Sequence, residues 1–258
     1  MERPQIMGVV NVTPDSFWSP SRVSGVEEAC RRMAEMRAQG ADIIDIGAVS
    51  SRPGAAEVSE EEEWARLEPV LCGIDGSVRI SIDTTRSAII RRAVTLLGAK
   101  LGEKYAKTLM VNDISAGEDD CEMLDTAASY GLTYVAMHKR GTPADMDGRT
   151  DYGGGVVSCI ESYFDAFAER ARSAGMDDWI LDPGFGFAKT EAQNLELLDN
   201  LNVFKRFGKP VLVGIADKRF TGGRTESLHA LALEHGADIL RVHDVAAAVK
   251  TLRDNKFL

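Results

Sequence analysis

WILDPGFGFAK, residues 179–189, contains an apolar run from Trp179 to Leu181 that ends in Asp182 and is broken at once by Pro183, Gly184 and Gly186. An amphipathic helical pattern begins near Glu191. A short apolar run bounded by turn residues reads as a buried strand, and this one delivers a carboxylate to its C-terminal tip. The same grammar recurs on both sides. Asn11, Asp45, Asp83, Asn112, His138 and Lys218, and His243 with Asp244, each stand near the end of another apolar run. Polar groups at so many strand ends, separated by helical patterns, read as one ring of site residues.

Working outward, residues 6–12 form a strand followed by a loop, 13–21, whose two prolines exclude helix. Apolar positions at near-helical spacing then mark a helix over 25–39 with Gly40 as its C-terminal cap. A strand at 41–46 opens into the loop 47–56, and Ser59 with Glu62 resembles a capping box. The acidic run Glu60 to Glu63 therefore reads as a first helical turn rather than a metal site. Further strands are expected at 78–82, 108–111, 132–137, 210–215 and 238–242. Helices are expected at 85–97, 121–130, within 157–173, 191–201, 226–234 and 245–252, and 141–155 reads as a long mobile loop. Eight strand–helix units in a chain of this length predict an α/β (β/α)8 TIM barrel, a single domain over residues 1–258 with its site at the C-terminal strand ends. A doubly wound open sheet is the architectural alternative.

Hydrophobic content of 44% and charged content of 27% are ordinary for a soluble globular chain. The formal net charge of -10 opposes binding to nucleic acid or to anionic membrane. Cys30, Cys72, Cys121 and Cys159 form no CxxC pair, so they read as buried free thiols in a reducing cytoplasm. The first apolar run, residues 6–10, is too short for a signal segment, and no stretch is long enough to span a bilayer.

Asp45, Asp83 and Asp182 with Asn112 could hydrogen-bond an aminopyrimidine-like ring, since carboxylates accept from paired N–H donors and an amide does both. The competing reading is that some of them cap helices or tie loops to the rim. Arg52, Arg241 and His243 could form an anion pocket. Zinc spacing is absent, His229 and His235 fall on a helix and its end, and any metal is read as Mg²⁺ held partly by substrate phosphates. G-x-S-x-G, Walker A and G-x-G-x-x-G patterns are also absent.

The blocks IMGVVNVTPDSF (6–17), DIGAVSSRPGA (45–55), SIDT (81–84), NDIS (112–115), MHKRGTP (137–143), LDPGFGFAK (181–189) and RVHDV (241–245) together resemble dihydropteroate synthase, in family order over nearly the whole chain. The resemblance implies a TIM barrel, commonly a homodimer, that condenses 6-hydroxymethyl-7,8-dihydropterin pyrophosphate with p-aminobenzoate to 7,8-dihydropteroate and pyrophosphate. It implies pterin contacts from Asp83, Asn112, Met137, Asp182 and Lys218. Arg52, Arg241 and His243 would grip the pyrophosphate, assisted by Asn11 through Mg²⁺, and Ser51, Pro53 and Phe187 would border the aminobenzoate. Lys218 and Arg241 are the implied catalytic groups.

The chain departs from the family around the second substrate. Ala216-Asp217-Lys218 stands where the family usually has Ser-Arg-Lys, which disfavours a carboxylate acceptor unless Asp217 turns away. Val49 and Ser51 replace the Glu and Thr of the family's GGEST loop, and Trp18 to Pro20 replace a polar, Gly-rich continuation. Ala188 replaces a glycine. The span from Lys218 to Arg241 is short for the family, in the region whose helices help build its dimer. The alternative is a pterin-binding paralogue that has lost this condensation or uses a different acceptor; a methyltetrahydrofolate methyltransferase is a third reading.

Overall fold

A computed structural model describes residues 3–12, 22–49, 57–141, 146–216 and 218–258. Eight parallel strands alternate with helices: β1 (Gln5–Asn11), α1 (Arg22–Gln39), β2 (Ile43–Gly47), α2 (Glu60–Gly73), β3 (Arg79–Asp83), α3 (Ser87–Leu101), β4 (Met110–Asp113) and α4 (Met123–Tyr130). The second half runs β5 (Thr133–Met137), α5 (Val156–Ser173), β6 (Trp179–Asp182), α6 (Glu191–Asp199), β7 (Leu212–Val213), α7 (Thr225–Glu234), β8 (Ile239–Val242) and α8 (Val245–Asp254). The sheet runs β6-β5-β4-β3-β2-β1-β8-β7, and a parallel bridge between Leu181 and Val211 joins its two ends. This closes the (β/α)8 barrel and removes the open-sheet alternative.

Closure is lightest at β7. The reading of a strand over 210–215 is corrected to Leu212–Val213, with Val211 contributing the bridge. Pro210 has no N–H to give to a ladder, and its carbonyl instead accepts from Leu181 N at 2.9 Å. Helix ends follow the sequence signals. Ser59 accepts from Glu62 N at 3.2 Å, Thr190 and Gln193 form a full capping box, and Asp244 caps α8 by accepting from Ala247 N at 2.9 Å. The loop reading for 141–155 is amended by a 3-10 turn at Met146–Gly148.

Two cores result from the period-two alternation of the strands. One face of each strand packs outward against the helices. The other points into the barrel, where Met7, Ile43, Met110, Val135, Ile180, Leu212 and Ile239 form a separate buried apolar cluster. Each such side chain stabilises the fold by on the order of 2 kcal/mol.

The cysteine reading is corrected in part. All four are free thiols, but Cys72 and Cys121 are exposed and Cys30 and Cys159 are half-buried. They lie on or beside the helices rather than the strands, and only Cys30 and Cys159 pack against the core. Among the described residues no helix is long and apolar enough to cross a membrane.

Candidate active site

Two residues beyond four members of the inner apolar layer, the same strand face turns polar. Ile43 is followed by Asp45, Met110 by Asn112, Ile180 by Asp182 and Ile239 by Arg241, while Val135 is followed by Met137. Met7 leads by two steps to Asn11 at the end of β1, and Ser81 leads to Asp83 at the end of β3. The alternation thus aims these side chains into the barrel mouth, above an apolar floor.

Within this layer the charges are bonded to one another. Arg241 donates from Nε to Asp45 Oδ2 and from a terminal nitrogen to Asp83 Oδ2, both at 2.8 Å, and Asn112 Nδ2 donates to Asp45 Oδ2 at 2.9 Å. Asp45 Oδ1 remains buried with no partner among the described residues, as does the hydroxyl of Ser81, its register partner on β3. A buried carboxylate oxygen without a donor is costly, and a ligand or water that brings N–H or O–H groups relieves it. Asp182 is 7% exposed and accepts from Gly184 N at 2.8 Å.

Burial raises Asp83 to about 7; Arg241 pulls the other way, while Asp45, Asp113 and Glu63 add to the rise. Burial likewise raises Asp182 to about 6 against the Gly184 N–H, Arg241, Lys189 and Lys218. For Arg241, burial opposes the charge, but Asp45 and Asp83 more than offset it and the guanidinium is held firmly protonated.

The loop after β6 completes the rim. Gly184 has φ +71°, and a Cβ there would lie 2.0 Å from the carbonyl oxygen of His138, so only glycine fits. Gly186, at φ +77°, leaves room for the Lys218 stem, and Lys218 Nζ sits 4.4 Å above the Phe187 ring. Phe187 and Lys218 are half-buried. His243 directly follows β8, and its carbonyl accepts from Arg32 at 2.9 Å.

Ser51, Arg52, Pro53 and Asp217 lie outside the described residues. The flanks of the β2–α2 loop are held by arginines: Arg66 donates to Ala48 O at 2.8 Å and Arg86 to Val58 O at 2.5 Å. Glu63, buried at the start of α2, binds Arg86 and accepts from Thr84 Oγ1 at 2.6 Å. The acidic run is thus a helical first turn, as expected, with one member, Glu63, tying α2 to the loop between β3 and α3.

A cavity of about 520 Å³ opens at the opposite end of the barrel beside Arg79, Tyr105, Lys107, Thr108, Thr133 and Asp178. Arg79 donates there to Thr108 O at 2.8 Å and to Thr133 Oγ1 at 2.5 Å. None of the sequence-predicted site residues lines it, and in this fold chemistry belongs to the other end.

A family model described as pterin binding enzyme matches residues 7–243. Dihydropteroate synthase of Synechocystis is 38% identical over 262 residues, covering 95% of this chain and 87% of the relative. The chain belongs to the dihydropteroate synthase family of pterin-binding enzymes. Among solved structures, Xanthomonas albilineans dihydropteroate synthase with 4-aminobenzoic acid superimposes with a TM-score of 0.86 at 35% identity, over 98% of this chain and 92% of that one. The same organism's enzyme in complex with 7,8-dihydropteroate gives 0.82 at 32%, over 98% and 93%.

Against this family the described geometry brings Asp83, Asn112, Asp182 and Arg241 to one layer, with Asn11 and Met137 at neighbouring strand ends and Lys218 and Phe187 together on the rim. Two features go beyond the residue-by-residue transfer. Asp45, to which the family resemblance assigns no role, is the hub of the network, in keeping with its place among the strand-end carboxylates of the sequence. In the sequence Lys189 stands only as the end of the LDPGFGFAK block. It is 9% exposed and bonded to His138, and a lysine closing a Gly-rich turn just before a capping box was its signal.

Proposed function

We infer that this protein is a transferase of the dihydropteroate synthase type, joining a dihydropterin pyrophosphate to p-aminobenzoate. The observation that carries the reading is the layer formed by Asp45, Asn112, Arg241 and Asp83, one carboxylate oxygen of which lacks a donor among the described residues. A flat aminopyrimidine, edged with N–H donors and a carbonyl acceptor, complements it. Asp83, Asn112 and Asp182 would hold that edge, Met137 would lie against the ring and Lys218 would reach it from the rim.

In the reaction the amine nitrogen forms a bond to the pterin methylene while the carbon–oxygen bond to pyrophosphate breaks, and the amine gives up a proton. Positive character left on the methylene delocalises into the electron-rich ring. The protein's task is to hold the leaving anion and aim the amine, rather than to supply a strong base. Arg241, His243 and Arg52 would take the anion, and Phe187, Ser51 and Pro53 would border the amine. Asp182, already near pH 6 in its titration, accepts ring N–H groups once ionised.

Asn11 Oδ1, a hard oxygen, lies 3.6 Å from the space a side chain at Gly47 would fill, beside the Asp83 oxygen held by Arg241, and this fits an Mg²⁺ that Asn11 would hold together with the substrate's phosphates. Bound with the substrate's phosphates, Mg²⁺ would neutralise leaving-group charge. Free thiols support a cytoplasmic enzyme. The homodimer is a separate proposal; sedimentation should find a species of twice 28.0 kDa.

Pyrophosphate release tests the reading. It should require both p-aminobenzoate and Mg²⁺. Calorimetric binding of the dihydropterin pyrophosphate without turnover would instead favour the paralogue with another acceptor, and no binding would remove both.

A further inference from the structure

Beneath the loop 183–189 lies a cation that the pterin and pyrophosphate contacts leave unused. Lys189 Nζ donates to Gly184 O at 2.8 Å and to Phe187 O at 3.0 Å, and it meets His138 Nδ1 at 3.1 Å. An ammonium has three N–H donors, and here three acceptors surround it, one of them at the exit of β5. His138 therefore accepts at Nδ1 as a neutral imidazole. Burial first, then Lys189 and Arg140, push its titration well below the usual range, and the edge of Tyr163 packs on its ring at 4.9 Å between centroids.

The loop is held from its other side as well. Asn194 on α6 accepts from Gly186 N at 2.8 Å and donates to the carbonyls of Lys189 and Thr190 at 3.2 and 2.7 Å. Between these anchors Ala188 takes φ +50°, which a side chain rarely adopts. Closing the loop over a buried amine imposes that turn, and the same turn presents Phe187 beneath Lys218.

We propose that Lys189 is a positioning residue: its buried ammonium, bound to Gly184, Phe187 and His138, sets the loop that presents Phe187 and so the alignment of the aromatic amine. The amine's role rests on the transferase reading above; the shaping of the loop does not. Lys189 touches neither substrate and acts through backbone carbonyls. Its charge is faced by Asp182, which favours it, and by Arg140 and Lys218, which oppose it. With burial the largest influence, its titration falls to about 7. A neutral amine has two donors for the three acceptors, so the loop loosens as pH rises through that range.

Two measurements on the full-length chain decide the matter. In Lys189→Met, hydrogen exchange at the amides of Gly184, Gly186 and Ala188 should speed up by about tenfold or more while the strand amides keep their protection. In turnover assays the KM for p-aminobenzoate should rise about tenfold with kcat and dihydropterin pyrophosphate affinity within about twofold. Lys189→Gln, which retains two donors, should fall between. Loop exchange and KM both unchanged in a folded variant overturn the proposal. If neither variant folds, unaltered protein decides: exchange at those amides and KM for p-aminobenzoate should both rise between pH 6.5 and 8.5, relative to the strand amides, and the absence of either rise overturns it. Failure of the unaltered protein to turn over any aminobenzoate counts against the transferase reading, while the exchange measurement still decides the loop.

Discussion

The lower and upper halves of the barrel interior are built on the same strands and the same strand faces, two residues apart, yet they are opposites. Below, seven apolar side chains fill the lumen as a plug. Above, Asp45, Asp83, Asn112, Asp182 and Arg241 are gathered where one carboxylate oxygen goes without a donor among the described residues and two carboxyls are pushed far up in their titration. This fold stores stability in the lower layer and gives some up in the upper one. An apolar floor costs nothing in desolvation and keeps water from draining the field of the layer above it. The upper layer carries unfavourable burial of charge that a complementary substrate can relieve.

The sharpest way to break this contrast is to remove the cation that serves the upper layer. Arg241→Met should lower turnover by about a thousandfold and destabilise the apo protein by about 2 kcal/mol, because Asp45 and Asp83 are left without their partner. Pyrophosphate release and urea unfolding read the two effects. In the lower layer Ile43→Ala should do the reverse, costing about 3 kcal/mol of stability with pterin affinity intact. A loss of affinity matching the loss of stability would mean that the two layers do not act separately.

Smaller effects sharpen the division. Asp182→Asn should weaken dihydropterin pyrophosphate binding by about thirtyfold in calorimetry, since an amide offers one acceptor where an ionised carboxylate offers two. Protons explain the next effect. The folded chain keeps them on Asp182 to about 6 and on Asp83 to about 7, whereas an unfolded carboxyl releases its proton near pH 4. Their contribution is therefore fully present below about pH 4 and lost as pH rises through about 6 to 7. Unfolding free energy of the apo protein should carry this decline, and Asp182→Asn should remove its own share. Pterin affinity should move the opposite way, rising over the same window as the acceptors ionise. The smallest effect belongs to the rim. Ala188→Gly relieves the positive φ but frees the unfolded chain, for a net gain of about 0.5 kcal/mol in thermal unfolding.

Much of this was legible in the chain. Apolar runs broken by Asp182-Pro183-Gly184 and its counterparts marked all eight strands, helical spacing marked the helices between them, and Ser59 marked the start of α2. The exception was β7, where Pro210 and Gly214 shorten a six-residue apolar-looking run to a two-residue strand, because ladder hydrogen bonds need N–H groups and a partner strand rather than hydrophobicity. The cysteines misled for a related reason. Their types suggested burial, but each stands on or beside a helix, where Cys30 and Cys159 only edge against the core and Cys72 and Cys121 are exposed.

The sequence by itself determined the parity of every strand, and hence which polar residues share the barrel's inner face, since alternation is a local property of extended backbone. Tertiary structure alone decided which of those residues meet. Asp45 and Arg241 stand 196 positions apart, and Lys189 reaches His138 across 51. Closure of the barrel brings them to hydrogen-bond distance inside a poorly solvated lumen. There a carboxylate takes the titration of a much weaker acid and a lysine that of a much weaker base, because burial penalises charge in a way no stretch of sequence records.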